Sequence, residues 1–312
     1  MALEMGRVEM WVCAKAFSSS ANLGPGYDVL ALAHDAYYDV VCVRKSEKTF
    51  VSRVTGAYEV PREGNNAIAA AEATLESLGA DMGVEIWVHK GVPPGRGLGS
   101  SGATAAATVK AIELLLGKAL DPNVAVRAAA EGERAATGSA HADNVAASYL
   151  GGLVMVMYNP LQVVQLGFPK VKFIVATPWF DVPEGKTGQA RRVLPNEVSL
   201  SDLVTMTSGA LAVVEGLKRG DSSLLARGLE MDPVVTPARS KLIPCYNEVY
   251  KAAKDAGALA VTISGAGPSI IILGDEGSAK AVIEKWKSCG IEASYKEVEV
   301  AKGASATTPP HV

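Results

Sequence analysis

The chain has 312 residues, of which 48% are hydrophobic and 20% are charged, and its formal net charge at neutral pH is -3. This length predicts two domains, and the balance of apolar and charged residues excludes a disordered or fibrous chain. A weakly acidic chain has no excess positive charge to offer nucleic acid or an anionic membrane, so a small-molecule ligand is expected.

Strands and helices alternate along the first half of the chain. Ala- and Leu-rich sequence after residue 102 predicts a helix, and Asp121 with Pro122 predicts the start of a second one that ends near Gly138. A stretch rich in Ser, Gly, Pro and Asn at residues 18–28 predicts a loop. The predicted strands lie at residues 7–15, 36–45, 84–90, 152–157 and 170–179.

The second half carries a similar alternation, which favours an α+β sandwich. We expect a first domain over residues 1–164, a second over 165–300, and a disordered tail over 301–312, since the tail lacks apolar periodicity. The predicted helices lie at about 200–218, 221–230, 244–256 and 277–288, and the predicted strands at 258–264, 269–274 and 293–300.

The four cysteines are scattered, with no close pair at the spacing of a zinc site or a redox motif. They are expected to be buried thiols in a reducing cytosol. The sequence has no export signal and no run of about 18 apolar residues, which predicts a cytoplasmic protein without a membrane span. The cysteines are Cys13, Cys42, Cys245 and Cys289.

The segment PPGRGLGSSG at residues 93–102 joins a predicted strand to a predicted helix. Its glycines expose backbone N–H groups at the helix N-terminus, where the helix dipole favours an anion. The hydroxyls of Ser100 and Ser101 add groups that can reach phosphate or Mg²⁺. Phosphate binding is therefore predicted, although the same glycines would also suit a simple tight turn.

Two other nucleotide-binding patterns fit this segment poorly. Residues 97–102 match G-x-G-x-x-G, but residues 103–138 predict two consecutive helices rather than the second strand and acidic residue of a dinucleotide fold. A Walker A motif would need Lys followed by Ser or Thr after the glycines, and that pair is missing there.

Three glycine-containing motifs follow one another along the chain: SSANLGPGYD at residues 19–28, GLGSSGA at 97–103 and SGAGPS at 264–269. In these motifs the chain resembles the GHMP kinases over nearly its whole length. The resemblance implies an α+β fold with an N-terminal ribosomal-protein-S5-domain-2-like domain, a left-handed βαβ unit and a C-terminal ferredoxin-like α/β sandwich. It also implies ATP as cosubstrate, held by Pro94, Gly95, Arg96, Gly97, Leu98, Gly99, Ser100, Ser101 and Gly102. Taken alone, SGAGPS would equally suit a hairpin turn.

Further segments resemble those GHMP kinases that phosphorylate the side-chain hydroxyl of L-homoserine in threonine biosynthesis: NLGPGYD, GERAATGSAHADN, TGQAR and PAR. An amino acid needs cations for its carboxylate and an anion for its ammonium group. Arg191 and Arg239 suit the first role and Asp28 the second. The substrate-binding residues that the resemblance implies are Asn22, Asp28, His141, Thr187, Arg191 and Arg239.

The resemblance implies Mg²⁺ on Ser101 and Glu133, a hydroxyl and a carboxylate that suit this ion. The acceptor hydroxyl is expected near Asn22, Asp143 and Asn144. Whether Asp143 or any other group acts as a base stays open, because in-line phosphoryl transfer can proceed chiefly by positioning and charge neutralisation.

Two alternatives to this interpretation stay open. The acceptor could be shikimate or a mevalonate-type acid, since the two arginines would bind those carboxylates as well. The chain could also be a non-catalytic sensor of metabolites, although a pure binder has no need of Ser101 and Glu133. A homodimer is a further expectation from the resemblance.

Overall fold

The computed structural model describes residues 10–137, 142–183 and 185–311, with the side chains of residues 133–137 left out. The chain forms an antiparallel four-stranded sheet and a larger mixed sheet, each covered by helices. Both sheets contribute to an apolar cluster between them, in which Leu23, Leu30 and Leu98 meet Leu225 and Ile271. The two domains therefore share a core and enclose the cleft where the motifs meet.

The first domain is a seven-stranded sheet in the order β11-β1-β2-β4-β3, with β5 paired to β2 and β6 to β5. Strands β3 and β4 are parallel and are joined through α1, which makes a βαβ unit. Its strands are β1 (Val12–Asn22), β2 (Gly26–Ser46), β3 (Phe50–Gly56), β4 (Gly83–Lys90), β5 (Leu153–Met157), β6 (Gln162–Gly167) and β11 (Ser305–Thr307). Its helices are α1 (Asn66–Ser77), α2 (Ser100–Leu116), α3 (Pro122–Thr137) and α4 (Ala142–Leu150).

Helix α2 is central to this domain, and residues 102–109 are all buried. The alanines of this segment explain its place, because small side chains let a helix approach the sheet and the other helices closely while favouring helical backbone. The helix ends at Gly117, whose φ of +62° is the left-handed conformation of a common helix C-terminus.

The second domain has a sheet of order β10-β7-β9-β8, antiparallel throughout. Its strands are β7 (Phe173–Trp179), β8 (Ala260–Ile263), β9 (Ile270–Leu273) and β10 (Glu292–Val298). Its helices are α5 (Lys186–Arg192), α6 (Leu200–Arg219), α7 (Ser222–Leu229), α8 (Val235–Arg239), α9 (Tyr246–Asp255) and α10 (Glu276–Ser288). The predicted helices and strands of this half therefore correspond to α6, α7, α9, α10 and β8–β10.

Helices α6 and α7 pack backbone against backbone through glycines. A Cβ at Gly216 would lie 2.6 Å from the backbone nitrogen of Leu225, and one at Gly228 would lie 2.7 Å from that of Val213. By length and composition α6 is also the one helix of the described residues that could cross a membrane, with a mean hydropathy of 1.2 and 22% of that stretch buried. One such helix is weak evidence for a membrane span.

The domain boundary falls later than predicted. Residue 164 lies inside β6, which pairs with β5 in the first sheet, while the second sheet begins with β7 at Phe173. Strand β6 carries Gln and Val without a buried face, so its residues give little of the alternating pattern that marks a strand.

The tail after residue 300 was predicted to be disordered, and this is wrong for its middle part. Residues 305–307 form β11, antiparallel to β1, with Thr307 opposite Cys13. A strand of three residues is too short to show periodicity, and its partner lies at the other end of the chain, so local sequence gave no sign of it.

The serine-rich segment at residues 18–22 was predicted to be a loop, but it belongs to β1. Ser18 and Ser20 are buried, and their hydroxyl oxygens lie 3.1 Å and 3.0 Å from the two ring nitrogens of His34. Buried hydroxyls need hydrogen-bond partners, and here β2 supplies them. The turn is confined to residues 23–25.

The cysteines are not free thiols as predicted. Cys13 is bonded to Cys42, and Cys245 to Cys289. Cys13 and Cys42 lie directly opposite each other on β1 and β2, whereas Cys245 immediately precedes α9 and Cys289 immediately follows α10. The pairs are 29 and 44 residues apart in sequence, so no close spacing pointed to them.

Candidate active site

A cavity between the two domains brings all three motifs together. The first contributes Asn22 and Asp28, the central loop lies along one wall, and Gly265 with Ala266 of the third motif lies along another. The residues around it are Ala21, Asn22, Asp28, Gly95, Gly97, Leu98, Gly99, Ser100, Ser101, Asp143, Asn144, Lys186, Thr187, Arg239, Gly265 and Ala266. Most of the predicted site residues therefore line one space.

The central loop is held tightly between the domains. A Cβ at Gly97 would lie 2.3 Å from the carbonyl oxygen of Ser264, and one at Gly99 would lie 2.2 Å from Oγ of Ser19. Ser264 also donates from its hydroxyl to the carbonyl of Gly97 at 2.6 Å. The third motif is thus the β8–β9 connection and also the surface on which the central loop rests.

Helix α2 starts at the end of this loop, with Gly99 in the left-handed conformation and without a side-chain cap. The first N–H groups of a helix have no partner within the helix, and they sit at the positive end of its dipole. Ser100 donates its hydroxyl to the carbonyl of Val92 at 2.9 Å, which makes it a support of the loop. The remaining donors at this helix start suit the phosphates of a nucleotide.

A buried ion pair, which sequence reasoning missed, fixes the start of α2. Lys90 contacts the carboxylate of Asp39 and donates to the carbonyl of Ser100 at 2.7 Å and to Oγ1 of Thr104 at 2.8 Å. The other oxygen of Asp39 accepts from the backbone nitrogens that follow β4. The sequence feature that could have indicated this ion pair is a lysine at the end of a buried strand, just before the glycine-rich loop.

Asn22 supports the turn of the first motif. Its φ is +74°, its Nδ2 donates to the carbonyl of Gly265 at 2.9 Å, and its Oδ1 accepts from the backbone nitrogen of Asp28 at 3.1 Å. The side chain therefore ties the first motif to the third. Both ends of its amide thus stabilise this turn, in addition to the predicted place of Asn22 near the acceptor hydroxyl.

Asp28 and Arg191 bind each other across the cavity entrance. Nη2 of Arg191 donates to Oδ2 of Asp28 at 2.8 Å, and both side chains are partly exposed. The Tyr27 ring lies under both predicted arginines, 5.8 Å from the guanidinium of Arg191 and 5.1 Å from that of Arg239. The structure therefore collects one carboxylate and two guanidinium groups around a single aromatic ring.

Arg239 is buried, in contrast to Arg191. Its Nε donates to the carbonyl of Ala190 at 3.1 Å and its Nη1 to the carbonyl of Gly265 at 2.9 Å. Arg239 of α8 thus connects α5 to the third motif, and its side chain also lines the cavity. Thr187 of α5 lines the same cavity.

Asp143 is buried at the start of α4, and its Oδ1 accepts from the backbone nitrogen of Asn144 at 2.8 Å. Burial, and to a smaller extent the negative charge of Asp28, raises the pKa of Asp143 to about 7. The neighbouring Asn144 accepts at Oδ1 from the hydroxyl of Ser19 at 3.0 Å. A carboxylate whose pKa lies near neutrality can change its charge under working conditions.

Sequence reasoning also missed Lys186, the first residue of α5. Its Nζ donates to the carbonyl of Gly95 at 3.1 Å and also contacts the carbonyl of Gly267. Burial, and to a smaller extent the positive charges of Arg96 and Arg239, lowers its pKa to about 7. The lysine stood in a short segment that showed no helical periodicity, so its position beside the central loop was not visible.

The region predicted to hold Mg²⁺ lies where α1, α2 and α3 meet. Nδ2 of Asn66 donates to the carbonyl of Ser101 at 2.8 Å, and Gly132 of α3 packs against Asn66. The side chain of Glu133 and the whole of His141 lie outside the described residues. Over the described ranges no three His, Cys, Asp or Glu residues cluster as metal ligands. The arrangement fits an ion that takes most of its oxygens from nucleotide and water.

Comparison with known proteins agrees with this geometry. The model of the GHMP kinases N terminal domain matches residues 65–152, and that of the GHMP kinases C terminal domain matches residues 213–292. The homoserine kinase of Aeropyrum pernix is 43% identical over 94% of this chain and 97% of that protein, and the one of Pyrococcus furiosus is 41% identical over 91% and 96%.

Solved structures show the same fold. The homoserine kinase from Cytophaga hutchinsonii superposes with a TM-score of 0.87 at 35% identity, over 98% of this chain and 100% of that one. The mevalonate kinase of Methanococcus jannaschii superposes with a TM-score of 0.67 at 16% identity, over 96% and 100%, and shows the fold alone. With both domains matched and relatives of more than 40% identity along nearly its whole length, the chain belongs to the GHMP kinase family.

Proposed function

We propose that the protein is a homoserine kinase, which transfers the γ-phosphoryl group of ATP to the side-chain hydroxyl of L-homoserine and releases O-phospho-L-homoserine and ADP. The observation that carries this proposal is one cavity lined both by the central loop and by Asp28, Asp143 and Arg239. The named relatives, at about 40% identity over nearly the whole chain, support the same substrate.

The charges around the cavity suit an amino acid. Arg191 and Arg239 would bind the carboxylate, and the partly exposed carboxylate of Asp28 would bind the ammonium group. A guanidinium has donors to spare and a carboxylate has a second oxygen, so the zwitterion can join the Asp28–Arg191 pair without breaking it. We place the acceptor hydroxyl at Asp143 and Asn144, beside the start of α2.

The transfer forms a bond between the hydroxyl oxygen and the γ-phosphorus and breaks the bond from that phosphorus to the oxygen of ADP. The N–H groups at the start of α2 offset the negative charge on the phosphates. Asp143 accepts a hydrogen bond from the hydroxyl and orients it, and the hydroxyl proton passes to the transferred phosphate. Mg²⁺, on Ser101 and Glu133, would supply further neutralisation of the phosphate charge when it is bound.

An ADP-release assay tests the proposal directly. Mg-ATP would be supplied with L-homoserine, L-threonine, L-serine, shikimate or mevalonate, with ATP alone as the control. We expect turnover with L-homoserine to exceed that with each other alcohol at least about tenfold. Preference for shikimate or mevalonate would show that the protein is a kinase with a different substrate. Nucleotide binding without turnover would favour a non-catalytic sensor. A cytoplasmic location and a homodimer belong to the same proposal, and light scattering would measure the second.

A further inference from the structure

Lys186 occupies an unusual position for a lysine. It opens α5 in the second domain, yet its ammonium group reaches the central loop of the first domain, where Nζ lies 3.1 Å from the carbonyl oxygen of Gly95. It also contacts the carbonyl of Gly267, in the third motif. The side chain lines the cavity between the central loop and the residues proposed for the acceptor.

The ammonium group has no anionic partner among the described residues, where no carboxylate oxygen lies within 4.0 Å of it. Its nearest charged neighbours include the cations Arg96 and Arg239. Carbonyl oxygens carry only partial charge, so they compensate a buried cation incompletely. Burial, and to a smaller extent the positive charges of Arg96 and Arg239, lowers the pKa of Lys186.

The other cations of the site are already engaged. Lys90 is paired with Asp39, and Arg191 is paired with Asp28. Arg239 stacks over Tyr27 on the side of the cavity proposed for the amino acid. Arg96, in the central loop itself, donates to the carbonyls of Pro178 and Phe180 at 3.0 Å and 2.8 Å. Lys186 lines the cavity beside this loop, and its ammonium group lacks a counter-charge within the described part of the chain.

We propose that Lys186 binds the terminal phosphate of ATP and stays with that phosphate as it becomes part of the product. The inference rests on the proposed function, because the central loop must hold a nucleoside triphosphate. The phosphate within reach is the terminal one, since Lys186 shares its cavity with Asp28 and Asp143 as well as with the loop. A lysine is a compact charge on a flexible chain, and a small rotation can move it from the two carbonyls to phosphate oxygens.

Calorimetry of nucleotide binding separates this role from a purely structural one. A non-hydrolysable ATP analogue and ADP, each with Mg²⁺, would be titrated into the wild type and into Lys186→Met, Lys186→Arg and Lys172→Met. Lys172 is a matched control, since it is an exposed surface lysine paired with Glu299. For Lys186→Met we expect affinity for the ATP analogue to fall at least about tenfold and affinity for ADP to fall less than about threefold.

A second readout uses protons. At pH 8 the wild type should take up a proton when it binds the ATP analogue, because the phosphate raises the pKa of the ammonium group; titration in buffers of different ionisation enthalpy measures this uptake. Lys186→Met should lose it, and Lys186→Arg should recover much of the affinity. The KM for L-homoserine should change less than about twofold.

Two results would overturn the inference. Unchanged affinity for the ATP analogue in Lys186→Met would show that the phosphate does not reach Lys186. If Lys186→Met lost affinity equally for the ATP analogue and for ADP and also had a lower melting temperature, the lysine would have only the structural role of joining the loop to the third motif. A failure of the proposed function looks different: the wild type would leave L-homoserine unphosphorylated while the triphosphate-specific loss in Lys186→Met persisted.

Discussion

Arg191 and Asp28 come from different domains, and they form a hydrogen-bonded ion pair of 2.8 Å at the entrance of the cavity. The pair joins α5 to the first motif, so each side chain orients the other before either meets an amino acid. Both are partly exposed, and an exposed ion pair adds little to stability. We therefore expect the pair to matter for substrate binding rather than for the stability of the fold.

Substitution of this pair should affect the amino acid and spare the nucleotide. We expect Arg191→Leu and Asp28→Asn each to raise the KM for L-homoserine about 10- to 100-fold, because each removes one charged contact with the zwitterion. In the double variant the loss of binding free energy for L-homoserine should be smaller than the sum of the losses in the two single variants, since the two groups act together. Steady-state kinetics measure this, with the KM for ATP as the control. An unchanged KM for L-homoserine in Arg191→Leu would remove the carboxylate assignment.

Asp143 should orient the acceptor rather than act as an obligatory base. With ATP saturating, we expect kcat/KM for L-homoserine to rise as pH increases through about 7, where Asp143 becomes ionised. Asp143→Asn should flatten this part of the profile and lower kcat by less than about tenfold. General-base catalysis contributes about 10²- to 10⁴-fold, so a loss of that size would instead make Asp143 the base.

His34 should make the fold sensitive to acid. Burial lowers the pKa of His34 to about 3 in the folded protein, against an ordinary value of 6.5. Between these values the unfolded chain binds more protons, so the free energy of unfolding falls as pH drops below 6.5, by up to about 1.4 kcal/mol per pH unit.

Chemical denaturation at pH 7 and pH 5 measures this slope for the wild type and for His34→Gln. The carboxylates also titrate in this range, so the informative quantity is the difference between the two proteins. His34→Gln should be less stable at pH 7, since it loses a contact with Ser18 or Ser20, but it should lose less stability on acidification. An identical pH dependence in both proteins would contradict the assignment.

Reduction of the disulfides should lower stability without changing the active site, which neither bond contacts. The loops closed between Cys13 and Cys42 and between Cys245 and Cys289 span 29 and 44 residues. Loss of each bond should lower the free energy of unfolding by roughly 3–4 kcal/mol in the chain-entropy account. Thermal melting with and without reductant measures the effect, and Cys245→Ser separates the second bond from the first. A reductant that left the melting temperature unchanged would show that the bonds do not stabilise the fold.

Local sequence predicted much of the fold, and most of the cavity followed from the motifs. The strand before the glycine-rich loop, the Ala-rich helix after it and the cap at Asp121 all appear where their patterns indicated. These features rest on neighbouring residues, whose periodicity and turn chemistry are visible in a short stretch of chain.

What remained hidden depends on contacts between distant residues. Lys186 meets Gly95 and Gly267 at separations of 91 and 81 residues, and the pairing of Lys90 with Asp39 spans 51 residues. Asn22 is a polar residue two positions before a glycine, so its sequence context did not show that both ends of its amide are engaged by the backbone. Such partners are set by how the elements pack, which local periodicity does not report.

Strand β11 has a consequence for how the protein is made. It pairs with β1 along Cys13 to Lys15. Strand β1 is therefore synthesised before the second domain, and its neighbour β11 is synthesised after it. The nascent first domain keeps the edge of β1 open while the second domain is synthesised, and open edges invite pairing with other chains. The first sheet gains β11 only after the second domain has been synthesised, so the first domain to begin synthesis is the second to be completed.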